Sequence, residues 1–316
     1  MSEFTLFFYN PADTQAARLE RAVSLTLTRE RYTPFYTLEY SFIADDPGAD
    51  INDFVSVRLM YGSTSIFYGR AASLRMTRRA GSDIISGRAF SFTKTLSTCD
   101  AVPGMMFDCT LADIIANNAS MPNISLQQVS DSASYIFVKE SDTVWSAIAA
   151  LSVKLFEGYP FITGENTVNI KKLGGSPHSY VGDPVTEVFS GENMANAVSK
   201  IYMQGTQGTY EFSATDREAV RRGIIRERFI PLDRQWLSSP ETGLKHKMYF
   251  ARRGGIYTGF TYRGFKNEQL CDPVSFSYGE QSYSGEVSRL VLHADRRGIF
   301  TTVTSYKDGY SDIVIG

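Results

Sequence analysis

The densest group of side chains able to do chemistry lies in ADDPGADINDF, where Asp45, Asp46, Asp50 and Asp53 fall within one short stretch. Carboxylates that crowded could hold Ca²⁺, but the stretch lacks the alternating acids and closing Glu of an EF-hand loop, and a solvated loop is the reading taken. His178, His246 and His293 stand apart from one another. None falls in HExxH or in zinc spacing with a cysteine. Cys99, Cys109 and Cys271 make an odd set without CxxC spacing, which points to reduced, partly buried thiols rather than a disulfide framework. A nucleophile elbow and a phosphate loop are both missing, and Gly205 with Gly208 reads as a turn. No metal, cofactor or catalytic set is therefore expected.

Arginine is the more suggestive residue. Four pairs occur: Arg78 with Arg79, Arg221 with Arg222, Arg252 with Arg253, and Arg296 with Arg297. Charges at strand ends discourage stray strand pairing, and guanidinium forks also grip carboxylates across subunit contacts. Both readings stay open. Trp236, in LDRQWLSS, sits in a polar stretch where an interface anchor is plausible, because aromatic and Arg residues dominate such anchors. Trp236, Arg221, Arg222, Arg252 and Arg253 are the candidate interface residues. Trp145 lies beside a helical apolar stripe, and packing against the FITG…NI hairpin is its default role.

The elements that must position these residues are mostly strands. Aromatics are abundant, with 18 Tyr and 21 Phe, which suits pleated surfaces. In residues 22–29, Val23, Leu25 and Leu27 alternate with Ser24, Thr26 and Thr28, a half-buried strand. Leu38, Tyr40 and Phe42 repeat the pattern. Hairpins follow around the turns after Gly62 and near Arg79. This spacing predicts a small closed or nearly closed barrel over residues 1–100.

Residues 101–180 read as a small α/β module. Thr110 is placed to cap a helix carrying Leu111, Ile114 and Ile115. Ser141 is expected to cap a second helix, with Val144, Ile148, Leu151 and Leu155 on one face and Asp142 in its first turn. A hairpin turning at Gly164, Glu165 and Asn166 follows. Residues 181–316 return to β texture with a polar insertion at about 206–245. KMYFARRGGIYTGFTYRGF predicts two strands about Gly254 and Gly255, and residues 274–306 predict three more. The fold class is mainly β with an α+β insertion: two barrels flanking a small α/β module.

The 316 residues carry a net charge of −2, with 32 basic and 34 acidic side chains. Sequence-independent binding of nucleic acid would need a basic excess. The start shows no basic, apolar leader pattern, no apolar run is long enough to span a bilayer, and the expectation is a chain made in the cytoplasm. Asn118 and Asn123 match glycosylation acceptors, chance matches on that reading.

Residues 135–170 open like a peptidoglycan-binding LysM repeat, an apolar strand running into Asp142, Thr143, Val144 and Trp145. The second helix of that unit is missing, so the likeness covers about a dozen residues. The whole order of elements resembles something larger. A barrel ending in GRAFSFTKTL, a helix in TLADIIANN, a second helix in DTVWSAIAALS and a second β region containing GIFTTVTSYKDGY resemble the central baseplate hub proteins of contractile phage tails. That family includes the late-control D group and relatives in tail-like bacteriocins and type VI secretion spikes. The resemblance implies a non-enzymatic structural hub in which two similar barrels per subunit of a homotrimer form a pseudo-sixfold ring. Such a ring joins the sixfold tail tube to the threefold spike. Its implied partners are further copies of itself, a tail tube protein or tube initiator, a spike protein and other baseplate proteins. No specific nucleic-acid binding, membrane anchor or cofactor is implied, and neither a needle repeat nor a lysozyme-like domain follows the second barrel. Its place would be the virion or tail-like particle, after assembly in the bacterial cytoplasm. The other functional readings are a cell-wall glycan-binding module at residues 135–170 and a tail-associated hydrolase using the Asp45 to Asp53 loop.

Overall fold

The computed structural model describes residues 3–44, 51–79, 82–118, 120–180 and 184–316. The first β region contains seven strands: β1 (Phe4–Tyr9), β2 (Gln15–Leu19), β3 (Arg21–Glu30), β4 (Thr37–Ala44), β5 (Ser56–Tyr61), β6 (Thr64–Arg79) and β7 (Ser82–Ser91). Period-two patterning decides which face turns inward. Phe4, Leu6 and Phe8 of β1, Leu25 and Leu27 of β3, and Leu38, Tyr40 and Phe42 of β4 are all buried. The strands pair in the order β3-β4-β7-β6-β5-β1-β2. The sheet curls so that β1 and β2 lie across the core from β3 and β4. Gly69 permits a tight crossing, because a Cβ there would lie 2.1 Å from the Phe90 carbonyl oxygen.

The module follows: α1 (Thr95–Thr98), β8 (Gly104–Cys109), α2 (Leu111–Ala116), β9 (Ser125–Leu126), β10 (Ala133–Val138), α3 (Val144–Phe156), β11 (Phe161–Thr163) and β12 (Thr167–Asn169). Thr110 caps α2 as its position predicts, and Asp113 closes a capping box. The cap of α3 is Thr143, not Ser141. Thr143 has an extended backbone, so its hydroxyl can accept from the Ser146 N–H at 3.2 Å. Ser141 is held at φ 69° and cannot start a helix there. Asp142 precedes the helix and accepts from the Lys139 N–H. Val144, Ile148 and Leu151 are buried on the predicted face, and Trp145 meets Tyr159 edge-on at 6.2 Å. The module is bonded onto the first β region. Tyr36 donates to the Ile162 carbonyl at 2.7 Å, and the Asn166 amide donates to the Tyr68 carbonyl at 3.0 Å.

The remaining elements are β13 (His178–Tyr180), β14 (Val185–Glu192), β15 (Lys200–Met203), β16 (Phe212–Asp216), α4 (Arg217–Arg221), β17 (Glu227–Ile230), α5 (Pro240–Arg252), β18 (Ile256–Arg263), β19 (Pro273–Tyr278), β20 (Gln281–Glu286), β21 (Arg289–Asp295), β22 (Gly298–Tyr306) and β23 (Ile313–Ile315). Residues 247–252, expected as a strand, form the last turns of α5. The helix starts seven residues earlier, at Pro240, with Leu244 and Met248 one turn apart facing the core. Residues 273–306 hold four strands rather than three. The extra strand is β20, QSYSGE, whose polar sequence shows no alternation and which is held by its ladder to β19.

The structure is mainly β with small mixed segments, but the described residues form no closed barrel. β2 runs into β3 through Glu20 without a ladder between them, and the second region is divided between sheets. Strands β14-β18-β22-β21 join the first region through β21 and β3, giving one eleven-stranded sheet. In that ladder Leu292 lies opposite Leu27, both fully buried. Strands β13-β19-β20 form a separate sheet, and β17-β15-β16-β23 form a four-stranded sheet under α5 with its own apolar cluster.

A charge is buried where the two regions meet. Arg29 of β3 donates to the carbonyls of Glu268 at 2.7 Å and Ile66 at 2.9 Å, with its guanidinium 5.1 Å from the Tyr36 ring centroid. The Glu268 carboxylate is fully buried and accepts from Tyr180 and Tyr262.

Truncating a buried leucine removes transfer energy and leaves a cavity, at about 2–5 kcal/mol. Leu292→Ala should cost that much in chemical denaturation. It should also accelerate amide hydrogen exchange in β4, two strands away in the first region. Loosening confined to residues beyond 180 would show that the shared sheet does not couple the regions.

Candidate functional site

Three of the five candidate interface residues converge on one cleft. Asp216 ends β16 and caps α4, accepting from the Glu218 and Ala219 N–H groups. It is fully buried, and Arg252 from the end of α5 approaches it at 3.2 Å. The same guanidinium donates to the Gly309 carbonyl at 2.7 Å and reaches Asp312 at 3.4 Å. In the first turn of α4, Glu218 accepts from Arg221 at 2.7 Å and from Arg222 at 2.6 Å. Those two guanidiniums hold its carboxyl down to about 2. Arg222 also grips Glu192 of β14. With Met194, Lys307 and Asp308, these groups line a cleft of about 440 Å³. Both signs of charge are present, so the arrangement ties α4, α5, β14 and the turn before β23 together and has no single-sign field for a ligand.

Trp236 is elsewhere. It ends the 3₁₀ turn Arg234–Trp236, is 4% exposed, and covers Gly243 of α5. A Cβ on Gly243 would sit 2.4 Å from the indole Cγ, so only glycine fits beneath the ring. Asp233, at the start of that turn, pairs with Lys139 at 3.0 Å and Lys247 at 2.9 Å. Burial alone would raise its pKa, but these two lysines bring it below the usual value. Phe137 of β10 donates its N–H to the Gln235 side chain at 2.7 Å. The indole is thus spent inside the chain, in the seam between the module and α5.

Arg253 diverges from Arg252. Its guanidinium lies 3.4 Å from the Phe250 ring centroid and 5.7 Å from that of Tyr32. It lines a second cleft, of about 530 Å³, with Arg228, His246, Lys247 and Phe250. His246 stacks with Tyr159 at 6.3 Å, and burial beside Lys247 and Arg253 lowers its pKa to about 4. The sequence reading missed this cleft, and it also missed an exposed aromatic group on the other face of the same sheet. Phe229 of β17 is 59% exposed, stacks on Tyr202 at 4.7 Å and meets Tyr210 edge-on at 5.2 Å. The only signal was Ile224, Ile225, Phe229, Ile230 and Leu232 inside a stretch read as polar.

Asp45, Asp46 and Asp50 lie outside the described residues, and Asp53 sits in the single turn Ile51–Asp53. Among the described residues no group of three His, Cys, Asp or Glu side chains is arranged for a metal. His178 pairs with Asp272 at 2.9 Å, and His293 meets Thr26 at 3.0 Å. Burial pushes the Cys109 thiol up to about 11 and also raises Cys271, which disfavours a reactive thiolate at either position.

No protein-family model matches the chain, and no curated protein matches it significantly. Solved structures do. A tail protein from Neisseria meningitidis MC58 is similar over 97% of both chains, with a TM-score of 0.72 at 13% identity. The 43 kDa tail protein of prophage MuSo2 from Shewanella oneidensis covers 96% of this chain and 98% of its own, with a TM-score of 0.69 at 12% identity. An Escherichia coli type VI secretion component, described as structurally similar to T4 bacteriophage tail proteins gp27 and gp5, matches 92% of this chain and 74% of its own. Its TM-score is 0.55 at 7% identity. The chain has the fold of these tail proteins.

Two outcomes follow from the site. Arg252→Met strands the buried Asp216 carboxylate and should cost about 3 kcal/mol in urea unfolding; Arg221→Ala, at an exposed pair, should leave the urea midpoint essentially unchanged. His246 binds its proton more weakly folded than unfolded, where imidazole titrates near about 6.5. The unfolded chain therefore holds more protons between those values, and stability falls as pH drops from about 6.5 toward about 4. His246→Gln should flatten that part of the melting-temperature profile against pH; an unchanged slope would assign it to other groups.

Proposed function

We propose that the chain is the structural baseplate hub of a contractile phage tail or tail-like particle. Three copies form a ring, and the two β regions of each copy stand in for six repeats around it. One side of the ring meets the tail tube or its initiator, the other meets a threefold spike, and the rim meets further baseplate proteins. On this reading residues 1–100 and 181–316 supply the annulus, with residues 101–180 as a clip between them. The observation that carries the proposal is the fold likeness to tail proteins over nearly the whole chain.

The physical arrangement supports it. One sheet of eleven strands spans both β regions, which suits a stiff wall under load. Open sheet edges and exposed Phe107, Ile225 and Phe229 are available for contacts between chains. A net charge of −2 gives little general attraction for DNA passing through a lumen. Among the described residues no helix is long and apolar enough to cross a membrane. The role requires assembly in the bacterial cytoplasm and incorporation into the particle, and it calls for no catalytic group.

Sedimentation equilibrium of the purified chain, alone and with tube and spike proteins of the same particle, tests this. A mass near three times 35.2 kDa, with threefold class averages by electron microscopy, is the expected result. A monomer under all these conditions that is retained on peptidoglycan would overturn the hub in favour of glycan binding.

A further inference from the structure

The second cleft differs from the first in having one sign of charge. Arg228 of β17, Lys247 of α5 and Arg253 just after α5 line it, with no carboxylate in the lining. Lys247 is paired with Asp233 behind the cleft, but no carboxylate pairs with Arg228 or Arg253 among the described residues. The floor is apolar: Ile201, Ile230, Phe250 and Ala251. Its position follows from the packing. α5 lies over β16, β15 and β23, so on the inner face of β17 Ile230 packs against the cluster under α5 while Arg228 stays exposed. β17 is also the edge of its sheet, pairing only with β15.

Along β17 successive side chains alternate between faces. Arg228 and Ile230 lie opposite Ile201 and Met203 on the α5 side, while Phe229 lies opposite Tyr202 on the outer side. A strand laid against the free edge would meet cations on one face and exposed rings on the other. We infer that the β17 edge and the Arg228–Lys247–Arg253 cleft form a docking site for an extended acidic segment of a partner protein. The segment adds as a fifth strand. Its carboxylates face Arg228 and Arg253 in the cleft, and its alternate apolar side chains cover Phe229 and Tyr210. The site requires no particular oligomeric state, so it stands or falls separately from the threefold ring.

Fluorescence anisotropy with the full-length chain tests the site. The probe is a labelled ten-residue peptide of alternating Glu and Val, compared with its Gln and Val counterpart and with a ten-nucleotide single-stranded DNA. The Glu peptide should bind with an affinity that weakens as salt rises, and the Gln peptide should bind at least tenfold more weakly. Arg228→Glu, at an exposed position, should weaken the Glu peptide at least tenfold with an unchanged melting temperature, whereas Arg75→Glu on β6 should have no effect. Equal binding of both peptides, indifference to Arg228→Glu, or no binding at low salt would overturn the proposal. Preferential capture of the DNA would replace it with a nucleic-acid site.

Discussion

The structure depends on a cation taken out of water. Arg29 is buried to about the same degree as the leucines around it. Burial lowers its proton affinity, and nearby Tyr36, Glu268 and Asp272 work against that loss. Its two terminal nitrogens donate to one carbonyl from the first β region and one from the loop after β18, while its Nε has no partner. Separating the regions would strand a guanidinium on one side and the Glu268 carboxylate on the other, and an uncompensated buried charge is among the most costly defects a fold can carry. Leucine packing across β3 and β21 is non-directional and would tolerate sliding. The bonds of Arg29 are directional, so they fix the register in which the two regions meet.

A second electrostatic division is made by adjacent residues. Arg252 turns into a balanced set of acids and bases and is used up by the chain's own architecture. Arg253, next in sequence, turns the opposite way, resting on aromatic rings and a carbonyl beside Lys247 and His246, with Glu30 acting on it. Charge pairs closed within the chain stiffen it, whereas a cation resting on a ring stays available to something else. Reading the four Arg pairs as equivalent, either edge guards or intersubunit clasps, therefore missed that the two members of one pair can differ in role.

Much of the fold was legible because burial follows simple periods. Leu25 and Leu27, then Leu38, Tyr40 and Phe42, announce their strands, and Thr110 with Leu111 and Ile114 announces α2. Failures arose where local signals competed. Ser141 and Thr143 are both good caps by residue type, and only the left-handed backbone at Ser141 separates them. The aromatic sequence KMYF reads as a strand unless the start at Ser239 and Pro240 is linked to it. β20 has no apolar face, so nothing in its own residues could report it. Trp236 looked like an anchor for another molecule because its neighbours in sequence are polar; its neighbours in space are Gly243 and His246. The cationic cleft was illegible for a similar reason. Arg228, Lys247 and Arg253 are far enough apart in sequence that only the crossing of α5 over the sheet unites them.

The pairing of β3 with β21 joins residues more than 250 positions apart, which has a consequence for synthesis on the ribosome. β3 emerges early, and one of its two flanks has no mate until translation is nearly finished. During that interval the nascent chain presents an unpaired strand with alternating leucines, the kind of surface that chaperones shield and that neighbouring polysomes can cross-pair. Ordered contacts this distant also slow folding. The rate at which the ribosome reaches residue 289 thus sets how long the half-built sheet must be kept from premature association.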